Sequence, residues 1–244
     1  MSDFTIVQLG EEKLDHVMQL QDQIHEELQQ QQHANYIIPK TEDCFRQYLC
    51  GDNGLMFGVM VTGQTRHVAQ AVLELPKNPG NPTSMTDMAL PVPENRLAVI
   101  SGALVHPDFR GWGLQSLLLH ERCRQAAKLE RHEIVAEIEL SNSFSLRNLL
   151  KAGFQVVSTA TDPSDGALLL NARRSLTHRP LFGKAKDEIC LPLPLSASTF
   201  PALSSYLDSG YVATSLCKNG SAEEGLVLRP VHAWKKIQTH AALA

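Results

Sequence analysis

Arg110-Gly111-Trp112-Gly113-Leu114-Gln115 stands between a strand-like run, Val99 to Val105, and a helix-like run, Ser116 to Leu129. That placement is suited to holding an anion. The first N–H groups of a helix have no intrahelical partners, and the aligned peptide dipoles leave partial positive charge at that end. A phosphate fits there. Gly111 and Gly113 lack a Cβ, so the backbone can turn sharply and approach a ligand closely, while Arg110 adds a guanidinium at the rim. Trp112 is read as packing at the turn. The spacing is not the G-x-G-x-x-G of dinucleotide turns, and the Gly-Lys-Ser/Thr ending of a P-loop is missing, which excludes both nucleotide readings.

A second run begins 29 residues after Gly113, behind the strand-like segment Glu133 to Leu140: Asn142, Ser145, Leu149, Gly153 and Phe154 in the order N-x-x-S-x-x-x-L-x-x-x-G-F. The two runs at this separation resemble the GNAT superfamily of N-acetyltransferases. Arg110 and Gly113 match its pyrophosphate signature Q/R-x-x-G-x-G/A, and the second run matches its strand, Asn, short helix and Gly-Phe close. The resemblance covers roughly Phe4 to Arg174. It departs at Gln115, where the family usually has Gly or Ala, and at Leu149, where many members carry a tyrosine thought to protonate departing coenzyme A.

The resemblance implies acetyl-CoA as cosubstrate, with pyrophosphate oxygens on the N–H groups of Gly111, Trp112, Gly113, Leu114, Gln115 and Ser116. The pantetheine arm would lie along Ala103, Leu104 and Val105 like an added strand. An N–H of Leu104 or Val105 would face the thioester oxygen. Asn142 would position the cofactor. A protonated amine acceptor needs a base before it can attack. Glu139, nearest the carboxyl end of its strand, is the first candidate; Glu137 and Glu74 are the others. With no tyrosine at Leu149, coenzyme A is expected to leave as thiolate, assisted by Ser145 or water, since a thiol pKa near ~8.5 permits it. Ser101 stands where some relatives carry an acid. The rival reading is a non-catalytic acyl-CoA sensor or interaction module, motivated by the missing tyrosine.

A chain of 244 residues with 43% hydrophobic content can build one full domain and an appendage. The net charge of -4 argues against broad nucleic-acid affinity. Met1 to Lys13 lacks a basic leader, and the longest apolar stretch, Leu55 to Val61, is too short for a bilayer, so a soluble protein without a membrane partner is expected. Five cysteines at scattered spacings, with no C-x-x-C, argue against a disulfide framework or a zinc site, and suggest a reducing cytoplasm. No paired His or Cys spacing suggests a metal.

The elements needed to position these residues can be read in turn. Phe4 to Leu9 suggests a strand, Glu11 to Gln32 a helix, and Thr41 a cap for a second helix through Cys50. Leu55 to Thr62 and Arg66 to Leu75 flank Gly63-Gln64-Thr65 as a hairpin. Four prolines between Pro76 and Asn95 require a long loop, a lid or a surface excursion. The expected class is mixed α/β, with a mostly antiparallel sheet flanked by helices. The expected layout is a GNAT domain over residues 1–174, a basic linker over 175–186, and a strand-helix-strand-strand extension over 187–244. Gly153-Phe154 and Gly210-Tyr211, 57 residues apart, each close a helix and open a strand, which reads either as a degenerate half-GNAT unit or as a coincidence of a common helix ending. The acceptor is a small-molecule or peptide amine, and the layout leaves room for a homodimer through the extension or an edge strand.

Overall fold

The computed structural model describes residues 4–31, 33, 36–63, 65–76, 94–218 and 224–236. They divide into two compact units after Arg131, earlier in the chain than the boundary expected at 174–187. Apart from Pro76 and a 3₁₀ turn at Glu94–Arg96, the proline-rich stretch lies outside the described residues.

In the first unit, strand β1 (Phe4–Gln8) leads through a 3₁₀ turn into helix α1 (Leu14–Gln30), followed by α2 (Glu42–Leu49) and strands β2 (Gly54–Val61), β3 (His67–Glu74) and β4 (Leu97–Val105). Helix α3 (Leu114–Lys128) follows the glycine turn. The strands pair antiparallel in chain order. Thr41 caps α2 as expected, its hydroxyl accepting from the Cys44 N–H at 3.3 Å. Strand β3 is buried along its whole length, its polar residues His67, Gln70 and Glu74 included. Leu14 and Val17 of α1, Phe45, Tyr48 and Leu49 of α2, Met56 and Val72 form one core cluster. Leu20, Ile24 and Leu28 close on Leu104 of β4 in another.

The β3–β4 register steps from Gln70↔Leu104 to Val72↔Ser101, so Gly102 and Ala103 together face Ala71. This is a β-bulge, with Gly102 at φ +55°, where L side chains are disfavoured.

The second unit begins with β5 (Glu133–Glu139), α4 (Ser143–Lys151), β6 (Gln155–Thr161) and β7 (Leu168–Ser175). The segment expected as a linker instead holds strand β8 (His178–Phe182), paired with the far half of β11 (Glu224–Lys236). Between them come β9 (Ile189–Pro192), α5 (Phe200–Asp208) and β10 (Tyr211–Lys218), the expected strand-helix-strand-strand order.

The repeat holds at the level of individual strand pairs. On β6 and β7, Gln155↔Arg173 and Val156↔Ala172 are followed by a skipped residue and then by Ser158↔Asn171 through Thr161↔Leu168. On β10 and β11, Val212↔Arg229 and Ala213↔Leu228 are followed by the same skip and then by Ser215↔Val227 through Lys218↔Glu224. The pairs Ala136↔Ala172 through Glu139↔Leu169 recur as Ile189↔Leu228 through Pro192↔Gly225. The two halves meet where β6 pairs antiparallel with β10 at Val156↔Ala213, which are equivalent residues. A local two-fold axis therefore passes through that pair, and α4 packs on β10 while α5 packs on β6.

The cysteine reading requires correction. Strands β9 and β10 both pair with β11, on its two sides, and this joins Cys190 to Cys217 in a disulfide although they lie 27 residues apart. Gly225 lies beneath the bridge, and a Cβ there would collide with the Cys190 sulfur. Sequence spacing carries no trace of two strands meeting across a third. Cys123 is buried among the leucines of α3, as a small apolar side chain.

His67 is buried in the first unit, its Nε2 bonded to Gln70 Oε1 at 2.7 Å, while Gln70 Nε2 donates to the Val17 carbonyl at 3.1 Å. Burial is the main cause that pushes the imidazole pKa below its ordinary value, with the nearby His16 ring adding to it. The fold therefore favours neutral His67. Its contribution to stability is complete above about pH 6.5 and falls by up to about 1.4 kcal/mol per pH unit below that, until the folded pKa is passed. Urea melts of wild type and His67→Phe between pH 5 and 8 are expected to show a shallower acid slope in the variant.

Candidate functional site

The glycine turn is built by two left-handed glycines, Gly111 at φ +82° and Gly113 at φ +76°, and a Cβ at either would meet no atom within 4 Å. Helix α3 begins two residues earlier than expected, so Leu114 and Gln115 belong to its first turn. Gly113 is its N-cap and offers no side chain to cap it. The 15-residue helix thus starts at a glycine with open space where its Cβ would stand, a backbone geometry that fits a phosphate.

Arg110 is already engaged: its guanidinium makes two hydrogen bonds to the Glu27 carboxylate on α1, at 2.7 and 2.6 Å. Arg110 holds the Glu27 carboxyl below the usual carboxylate range. Four residues earlier on α1, Gln23 bonds His106 Nε2 at 3.0 Å. The two contacts lie one helical turn apart and tie the approach to the turn onto α1. Trp112 packs edge-on against Phe4 with ring centroids 5.7 Å apart, and remains largely exposed.

Next to the β4 bulge lies a group of polar side chains around Glu74. Glu74 is 5% exposed. Ser101, the residue before the bulge, donates its hydroxyl to Glu74 Oε1 at 2.6 Å, and Lys40 Nζ donates to the same oxygen at 3.3 Å. The Tyr48 phenol is held well above its ordinary pKa, first by burial and then by the Glu74 charge, so it stays protonated. Lys40 is fixed at its backbone by Gln21 of α1, whose amide accepts from Lys40 N at 2.8 Å and donates to Lys40 O at 2.9 Å. Its stem crosses the bulge, with Cε 3.7 Å from where a Gly102 Cβ would stand.

From α3, Arg122 reaches the same bulge. Its Nη1 donates to the carbonyls of Val72 and Ser101 at 3.1 and 3.0 Å, and its Nε donates to Leu118 O at 3.3 Å. Burial pushes this guanidinium down to about 10, which leaves it charged at neutral pH. Its one sequence signal is a charge on the apolar stripe of Leu118, Leu119, Cys123 and Ala126. Lys40 and Tyr48 left no local signal, since their partner lies far along the chain.

The remaining candidates lie in the second unit. Glu139 folds back on its own strand end, accepting from the Ser141 N–H at 2.8 Å and the Ser141 hydroxyl at 2.7 Å. Glu137 stands opposite Asn171. Asn142 is the N-cap of α4, its side-chain oxygen accepting from the Ser145 N–H at 3.1 Å. Leu149 is buried in α4, and its equivalent in α5, 57 residues on, is Tyr206. Among the described residues no group of three or more metal-ligating side chains occurs, and no helix is long and apolar enough to cross a membrane.

The fold is similar to that of solved N-acetyltransferases. The ribosomal-protein-S18-alanine N-acetyltransferase from Escherichia coli superposes with TM-score 0.52 at 16% identity, over 75% of this chain and 98% of that one. An N-acetyltransferase from Staphylococcus aureus Mu50 gives 0.54 at 17%, over 72% and 99%. A chain of the NatC complex bound to Gag peptide and CoA gives 0.54 at 15%, over 72% and 99%. No protein family and no curated protein matches the sequence. The chain has the GNAT acetyltransferase fold, mixed α/β with mostly antiparallel strands and packed helices.

Lys40→Met leaves Glu74 buried without its cation and is expected to destabilise the chain by about 1–3 kcal/mol. Glu74→Gln in the same chain should recover a large part of that loss. Denaturant unfolding of the two single variants and the double variant measures the coupling, and additive losses would mean that the pair is not coupled.

Proposed function

We propose that the chain transfers an acetyl group from acetyl-CoA to a primary amine of a small molecule or peptide, with Glu74 as general base. The observation that carries this reading is a buried carboxylate beside a bulged strand that leads, in the same unit, into an uncapped glycine-turn helix start. The N–H groups from Gly111 to Ser116 would hold the pyrophosphate, and the backbone of Ala103, Leu104 and Val105 would hold the pantetheine arm. Acetyl-CoA supplies an activated acyl thioester. Backbone donors at the bulge are placed to polarise the acyl oxygen, as preorganised dipoles.

Glu74 is preferred to Glu139 because Glu74 is buried next to the bulge, in the same unit as the glycine turn, whereas Glu139 folds back onto Ser141 at its own strand end. It would accept the proton of an incoming ammonium, so that a neutral amine attacks. Coenzyme A would leave as thiolate and take its proton from solvent. The acceptor class is supported by solved proteins of the same fold, one named for an alanine of a ribosomal protein and one bound to a peptide and CoA.

Calorimetric titration of acetyl-CoA is expected to show micromolar-range binding by wild type that is lost in Gly113→Asp, which places negative charge at the phosphate seat. Glu74→Gln should bind acetyl-CoA as wild type does while kcat falls by about a hundred- to ten-thousand-fold. Unchanged turnover in Glu74→Gln across an amine panel would remove Glu74 as base. Binding without turnover of any amine would favour an acyl-CoA sensor.

A further inference from the structure

We propose that Lys40 is itself an acetyl acceptor, a self-modification site next to the base it neutralises; this rests on the acetyl-CoA reading above. Any external amine that is to react must bring its nitrogen to the β4 bulge, within hydrogen-bond reach of Glu74. Lys40 already meets both conditions. Its ammonium donates to Glu74 Oε1 at 3.3 Å, and its Cε lies against the bulge at Gly102. The two hydrogen bonds from Gln21 fix its peptide, and the Tyr48 ring lies 5.5 Å from Nζ, so the side chain is held in place. Its side chain keeps about one-fifth of its surface exposed.

The step balances without any further reactant. The Lys40 ammonium gives a proton to the Glu74 carboxylate, and the freed lone pair forms an N–C bond to the acyl carbon. The C–S bond breaks with its electron pair going to sulfur. The second nitrogen proton goes to that sulfur, giving coenzyme A as thiol, and Glu74 returns its proton to solvent. The product amide carries no charge. Glu74 then keeps the Ser101 hydroxyl but loses its cation, and the place beside the carboxylate becomes available to an external ammonium. Unmodified Lys40 therefore competes with acceptor amines for the base, and acetylation removes the competitor.

The test uses the full chain, acetyl-CoA and peptide mapping by mass spectrometry, beside calorimetry of acetyl-CoA binding. One acetyl group is expected on Lys40, formed roughly a hundredfold faster than on exposed Lys151 and Lys186, because the nitrogen is held next to the thioester. Its rate should saturate at the calorimetric Kd. Excess coenzyme A, which occupies the seat without a thioester, should suppress Lys40 labelling and leave the exposed lysines at their background rate. Glu74→Gln should slow only Lys40. A Lys40 rate equal to that of the exposed lysines, with acetyl-CoA binding intact, would overturn self-acetylation and leave the transferase reading standing. Absence of acetyl-CoA binding would overturn both.

Discussion

One extra residue in β4 controls the chemistry-bearing part of this molecule. Because Gly102 and Ala103 share one partner on β3, the ladder is locally interrupted in a buried sheet, where backbone groups must find partners. Arg122 supplies them, donating to the carbonyls of Val72 and Ser101 that flank the interruption. Burying a cation is costly, by several kcal/mol for an ion without compensation. Here three carbonyl oxygens surround the guanidinium, so its burial and the bulge sustain one another. Were β4 to pair regularly with β3, every residue on one side of the bulge would shift to the other face. Ser101 would leave Glu74, and Lys40 would lose the glycine it crosses.

The second unit solves a different problem. Strands β5, β7 and β6 leave β6 with an unpaired edge, and exposed edges invite pairing with other chains. The chain covers that edge with a second copy of the same substructure, β9, β11 and β10, joined at the equivalent residues Val156 and Ala213. This is the geometry of an isologous dimer interface produced within one polypeptide. The copy lacks a glycine turn and has Tyr206 where the first half has Leu149, while Pro192 and Gly225 stand where the first half has Glu139 and Leu169. It keeps the strand register without the carboxylate at the position of Glu139.

Local features were legible in the sequence because their causes are local. Thr41 caps α2 by a bond spanning three residues, and the glycine turn opens α3. The 57-residue echo was legible because helix and strand lengths were kept in both halves. The helix start was misplaced by two residues because a left-handed Gly113 can cap directly, which composition alone does not reveal. Strand β8 was hidden by its basic residues and Pro180, since its partner is the long extension of β11. Glu74 and Ser101 were each visible singly but not as partners: Lys40 and Ser101 reach Glu74 across 34 and 27 residues, and no periodicity encodes such a meeting. The disulfide was missed for the same reason.

Helix α1 connects the proposed phosphate seat to the proposed base. Gln23 and Glu27, one turn apart, hold His106 and Arg110 on either side of the short 3₁₀ turn that leads to the glycines. Gln21 holds Lys40, and Leu20, Ile24 and Leu28 pack on Leu104 of the strand between the two. From Gln21 to Glu27 the helix rises about 9 Å, at 1.5 Å per residue. A helix is stiff over that length, so the separation between the anion cradle and the Lys40–Glu74 pair is set by helix geometry and not by loop conformation. The i, i+4 spacing of the apolar contacts keeps α1 from rotating, because a turn of one residue would lift Leu20, Ile24 and Leu28 from Leu104 together. The polar contacts on the helix flanks thereby inherit their precision from an apolar stripe that touches no reacting group.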